Sequence, residues 1–178
     1  MKKILMTMVA AFAALSVNAQ FYVGGGVGYL SVSHDGETES AFTLLPEFGY
    51  NLNEDMSLGI AVGYGESGKD NHKIKTTIVN PYLRYNVIKN NNVKLFLDGS
   101  FDYSNTDSKA LGYKVNEWGL GVKPGVAVSL TDNFSFVAHM GFLGYRSEKP
   151  DYDGAKATNT VGLSLDATDL SFGFYYNF

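Results

Sequence analysis

The sequence predicts an all-β fold: an eight-stranded antiparallel up-and-down β-barrel that crosses a membrane with its strands. Three observations carry that expectation. The last nine residues set Leu170, Phe172, Phe174, Tyr176 and Phe178 on one side and Ser171, Gly173, Tyr175 and Asn177 on the other, a period of two that belongs to a strand. The same alternation recurs along the chain between clusters of turn-forming residues. Finally, 20 glycines and 24 Phe and Tyr residues are spread over 178 positions. No run of about 18 apolar residues follows the amino-terminal segment, so a membrane would be met only by every second residue.

The amino terminus reads as an export signal. Lys2 and Lys3 precede an uncharged stretch from Ile4 to Leu15 and the small-residue pattern Val17-Asn18-Ala19, so residues 1–19 are expected to be cleaved and residues 20–178 to form the barrel domain. The apolar stretch is too short to span a bilayer, and Gln20 offers no thiol for a lipid anchor. Without Lys2 and Lys3, 12 basic residues face 18 acidic ones, a net charge of −6 that argues against nucleic acid as a partner. There are no cysteines, so disulfides cannot hold this exported chain together.

Eight alternating segments follow from Gln20. The first, to about Val32, opposes Phe21, Val23, Val27 and Tyr29 to Gly24, Gly26 and Gly28, and Ser33 to Ser40 reads as a loop. The second, about Ala41 to Leu52, sets Phe42, Leu44, Phe48 and Tyr50 against Thr43, Glu47 and Gly49 before a turn at Asn53 to Asp55. The third opposes Met56, Leu58, Ile60, Val62 and Tyr64 to Ser57, Gly59, Ala61 and Gly63. After a polar loop from Glu66 to Lys73, the fourth sets Val79, Leu83, Tyr85 and Val87 against Thr76, Asn80, Tyr82, Arg84 and Asn86, and Lys89 to Asn92 turns the chain.

The fifth segment sets Val93, Leu95, Leu97, Phe101 and Tyr103 against Lys94, Asp98, Ser100 and Asp102. A loop from about Asn105 to Lys114 leads to the sixth, with Trp118, Leu120, Val122, Val126 and Val128 opposite Glu117, Gly119, Gly121, Lys123 and Gly125. Past Thr131 to Asn133, the seventh sets Phe134, Phe136, Ala138, Met140 and Phe142 against Ser135, Val137, His139 and Gly141. The longest loop, about Ser147 to Thr160, precedes the eighth. There Val161, Leu163 and Leu165 are odd while Phe172 and Phe174 are even, which demands a bulge or break near Asp166 to Asp169.

Three short turns therefore alternate with four longer loops, as at the two ends of a bacterial outer-membrane barrel. A proline recurs four residues before an apolar position in Pro46-x-x-x-Tyr50, Pro81-x-x-x-Tyr85 and Pro124-x-x-x-Val128, each just before a short turn. A closed barrel has no edge strand to hide the missing donor, so local bulges are expected. Volume sets the faces: a small barrel's interior is just filled by side chains, so the large apolar residues must point outward and the Gly, Ser and charged positions inward. Tyr29, Tyr50, Tyr64, Tyr85, Tyr103 and Trp118 then fall near strand ends, where rings with polar tips favour the lipid–water boundary, with Phe42, Phe134, Phe142 and Phe178 beside them.

With its alternating last strand ending in Phe178 and this strand pattern, residues 20–178 resemble the small bacterial outer-membrane β-barrel family that includes the OmpA transmembrane domain and OmpX. The resemblance implies outer-membrane localisation, lipid surroundings, a monomer, and insertion by the outer-membrane assembly machinery, with Phe172, Phe174, Tyr176 and Phe178 as the assembly signal. It implies no cofactor.

Inward positions collect Glu47, Arg84, Asp98, Asp102, Glu117, Lys123 and His139, charges of both signs that should pair in a shielded lumen. They read as a plug that closes the barrel, against the alternative of a narrow or gated path for ions or small solutes. A structural or surface-interaction role then falls to the loops, which could meet an extracellular ligand. No catalytic site is expected: His34 and His72 lie in loops beside Asp35 and Asp70, His139 lies in a strand, and no Gly-x-Ser-x-Gly elbow accompanies them. Nor is a metal site, since His34 with Asp35, Glu37 and Glu39 lacks a ligand spacing that fixes a geometry. The run Gly24 to Gly28 sits in a strand with no helix start after it, so it is no phosphate loop.

Overall fold

In hydrocarbon the backbone can satisfy its polar groups across strands only by closing the ladder on itself, and the computed structural model, which describes residues 20–34, 37–68, 73–108, 112–165 and 171–178, is such a closed antiparallel barrel. Its strands are β1 (Phe21–His34), β2 (Glu37–Asn51), β3 (Met56–Ser67), β4 (Ile74–Lys89), β5 (Val93–Ser108), β6 (Tyr113–Ser129), β7 (Phe134–His139), β8 (Phe142–Pro150), β9 (Thr158–Ser164) and β10 (Ser171–Asn177). The segments β7 and β8 together make the seventh stave, and β9 and β10 the eighth. Closure comes from β1 against β10, Tyr22 opposite Asn177 through Gly25 opposite Phe174. The expected signal segment, residues 1–19, lies outside the described residues, as does the span Asp166 to Asp169.

The strands run further than the hydrophobic alternation suggested. The hairpin of β1 and β2 is laddered up to His34 opposite Glu37, and β5 with β6 up to Ser108 opposite Tyr113, across stretches read from sequence as loops. Likewise β3 continues to Ser67 and β8 to Pro150. Beyond the lipid boundary both faces are wet, so the side chains lose their alternation while the backbone keeps its hydrogen bonds.

The seventh stave corrects one face assignment. Gly125 of β6 lies opposite His139 of β7, whereas Val122 lies opposite Leu143 of β8, so three steps along β6 correspond to four along its neighbour. The extra residue falls at Met140–Gly141, where Gly141 adopts φ +76°, a left-handed conformation that suits glycine. The bulge reverses parity: Leu143 is turned outward, while Phe142, expected at the lipid boundary, is 2% exposed and faces the lumen. The eighth stave switches similarly, since odd Val161 and Leu163 and even Phe172 and Phe174 are all exposed.

Of the three repeated prolines only Pro124 stands at a bulge. Its carbonyl accepts from the Met140 amide at 2.9 Å, so its missing donor faces the Met140–Gly141 break. The ladder of β2 with β3 skips Leu45 and Pro46, and that of β4 with β5 skips Asn80 and Pro81, and both resume unshifted. Each of these two therefore costs a local gap and leaves the register alone. The β4–β5 ladder does shift, but between Asn86 and Ile88.

Candidate functional site

Outward, the wall is apolar: Leu58, Leu83, Leu97, Leu120 and Phe174 are each exposed, as hydrocarbon contact requires. Inward, the largest buried residues are rings. Tyr22, Tyr82, Phe96 and Tyr175 lie directly across the ladder from Gly49, Gly59, Gly125 and Gly24. A Cβ added at any of those glycines would come within 2.0 to 2.4 Å of the facing ring. Glycine on one strand thus makes the bed for an aromatic on the next.

These rings surround Arg84. Its guanidinium carbon lies 3.9 Å from the Phe96 ring centroid, 5.1 Å from Tyr82, 5.3 Å from Tyr175 and 6.0 Å from Tyr22. Arg84 donates through Nε and Nη2 to the two oxygens of Asp98, each at 2.8 Å, a fork-to-fork pair with both partners buried. Register sets the pair up, since Arg84 of β4 sits opposite Asp98 of β5. His139 Nε2 lies 2.9 Å from Asp98 Oδ2 and 3.1 Å from Arg84 Nη2.

Glu47 joins from β2. Its Oε2 accepts from Tyr82, at 3.1 Å, and from Tyr175, which also receives a hydrogen bond from Arg84 at 3.2 Å. Tyr22 and Tyr82 share a hydroxyl contact at 2.8 Å. Glu47, Arg84, Asp98 and His139 are thereby brought together in one cluster. Asp102 and Lys123 form a second group toward the long loops, 2.5 Å apart, with Asn80 also donating to Asp102. Glu117 lines the cavity beside this second group.

The Arg84 cluster lies between two cavities. The outer one, about 350 Å³, is bounded by Glu47, Tyr82, Asp98 and His139 below and by Asp102, Lys123 and Arg146 at its wall. The inner one, about 250 Å³, runs from Arg84, Phe96 and Tyr175 toward Lys94 and Asp132 at the short-turn end. Arg146 stacks on the relocated Phe142, 4.1 Å from its centroid.

Tyr64, Tyr85, Tyr103 and Trp118 are each 40 to 51% exposed on the outer wall, and Tyr50 is half-buried against Phe21. At the long-loop end the ring hydroxyls are tied one rung upward: Tyr64 to Glu66 at 3.0 Å, Tyr103 to Asn116 at 3.1 Å and Tyr145 to Asn159 at 2.8 Å. Tyr29 is placed only by its backbone, opposite Phe42. Phe134, Tyr176 and Phe178 form a run of edge-to-face contacts where β7 meets β10. At the rims, hydrogen bonds from Lys73 and then Tyr64 hold the Glu66 carboxyl below its usual range, and a hydrogen bond to Asp55 raises Lys89.

Asp35, Asp70 and His72 lie outside the described residues, and His34 is placed by backbone alone. Sequence reading overlooked the rings: Phe96 and Tyr22 had no assigned face, and Tyr82 and Tyr175 had no assigned role. Parity alone gives their face, since each shares the parity of the lumen residues in its own strand, but the glycine each covers emerges only from the register of neighbouring strands, for Tyr175 that of the closing pair β10 and β1.

A family model described as outer membrane protein beta-barrel domain matches residues 4–178. Among solved structures, the crystal structure of Neisserial surface protein A is similar with a TM-score of 0.53 and 20% identity, over 89% of this chain and 97% of that one. That of the outer membrane protein OprG from Pseudomonas aeruginosa is similar with a TM-score of 0.53 and 17% identity, over 89% and 95% of the two chains. Identities this low carry the fold alone. No curated protein matches the sequence.

Proposed function

The chain belongs to the outer membrane protein β-barrel family, and from that premise we propose that it works as a sealed, monomeric, non-enzymatic barrel whose role, structural or in surface interaction, is exercised through its extracellular loops. The observation that carries this reading is the Arg84 cluster. A bidentate Arg84–Asp98 pair, ringed by aromatics and joined to His139, Tyr175 and Glu47, stands between the two cavities in the interior of an eight-stranded barrel, a bore narrow enough for side chains to close. Insertion by the outer-membrane assembly machinery, with Phe172, Phe174, Tyr176 and Phe178 as its signal, belongs to the same reading.

Planar-bilayer recording of the refolded protein tests the seal. Silence is expected, and steady openings in the unaltered protein would overturn it. One observation favours the second reading, a narrow gated channel: the two cavities reach the cluster from opposite ends, so the cluster stands between them. On that reading Arg84→Ala converts a silent or flickering trace into sustained conductance.

A further inference from the structure

We propose that the outer cavity is a binding site for a small organic cation bearing one ammonium or guanidinium group, with Glu47 as its counter-ion. The proposal goes beyond the sealed-barrel reading and does not depend on whether the lumen conducts.

Glu47 is 7% exposed, and the hydrogen bonds it accepts from the Tyr82 and Tyr175 hydroxyls converge on Oε2. Oε1 has no partner among the described residues. It is not sealed away either, because no fully buried side-chain oxygen in the described residues lacks a hydrogen bond. Glu47 lines the floor of the outer cavity and also borders a crevice of only about 10 Å³ beside Gly26 and Val137, and the proposal assigns Oε1 to the larger space. A buried carboxylate with no cation in direct contact is costly, and two phenols, one of them bridging to Arg84, offset only part of the cost.

Most of the neighbouring charges are already engaged. Arg84 is forked onto Asp98 and Lys123 lies on Asp102, while Arg146 packs on Phe142 and keeps its charge at the cavity wall. His139 sits between Asp98 and Arg84. Glu117 also lines the wall, with an interaction of its own, and is not counted toward the site. The cavity, about 350 Å³, is within the range of small-molecule sites. A bare divalent ion would need several oxygen ligands, and the described residues hold no cluster of three or more His, Asp or Glu groups suited to a metal. An ammonium or guanidinium group, which needs one carboxylate oxygen and a polar wall such as Thr76 and Asn80, matches the site better.

Titration calorimetry of the full refolded barrel in uncharged detergent tests this with methylguanidinium and butylammonium chlorides, and with sodium butyrate as the anionic counterpart. Saturable binding of the cations and none of butyrate is expected. Glu47→Gln should weaken cation binding at least tenfold, and Lys123→Gln, which frees Asp102, should tighten it several-fold. Absence of cation binding, equal binding by Glu47→Gln, or equal binding of butyrate would overturn the proposal. Should Glu47→Gln fail to refold, Lys123→Gln decides, since unchanged or weaker affinity in that variant is incompatible with the site.

Discussion

Arg84 holds Asp98, His139 and Tyr175 at once, so its loss strands several lumen groups together. Arg84→Ala leaves Asp98 buried without its cation, so unfolding by urea in lipid vesicles should show a loss of about 3 to 5 kcal/mol. Replacing both partners by apolar residues, Arg84→Met with Asp98→Leu, should recover much of that. A second test concerns the glycine beds. A methyl at Gly125 would lie 2.3 Å from the Phe96 ring and 2.9 Å from the Ala138 carbonyl, so Gly125→Ala should cost about 1 to 3 kcal/mol by overpacking, and adding Phe96→Leu should relieve the part due to the ring. The charges of this network were legible in the sequence because alternation gives each a face. The rings were not, because which glycine a ring covers depends on the register of the neighbouring strand, and a single strand carries no record of its partner.

At the scale of the strand, register is the quantity that sequence patterns recovered unevenly. Where one face is lipid and the other lumen, as in β3, alternation defined the strand without ambiguity. The break in the eighth stave was legible as a change of parity between Leu165 and Phe172. The one in the seventh stave was missed because Ala138, Met140 and Phe142 keep up an even-numbered apolar run straight through the bulge, so nothing in the pattern marks Gly141. Deleting Gly141 should therefore be severe: it would turn Leu143 and Tyr145 toward the lumen and Arg146 toward lipid. No heat-modifiable folded band is expected on an unheated detergent gel, whereas removing one residue from the exposed 151–157 connection should leave the band intact. For the carboxyl-terminal strand, deletion of Phe178 is expected to lower the outer-membrane level of the protein several-fold in cell fractionation, the readout for an assembly signal.

For the molecule as a whole, the sequence conveyed the class of fold and the number of staves, since the short turns, the alternation and the signal of small and aromatic residues all act locally. It conveyed loop lengths poorly, because polar residues above the girdle look alike whether or not their backbone is laddered. Between Trp118 and Tyr113, β6 continues paired with β5 for five residues, roughly 17 Å of strand. What projects from the cell is thus a palisade of braced ribbons. Below the loop tips, a molecule arriving from outside would meet ribbons already held in shape, pay little entropy to order them, and be kept at a stand-off from the lipid headgroups that the height of those ribbons sets.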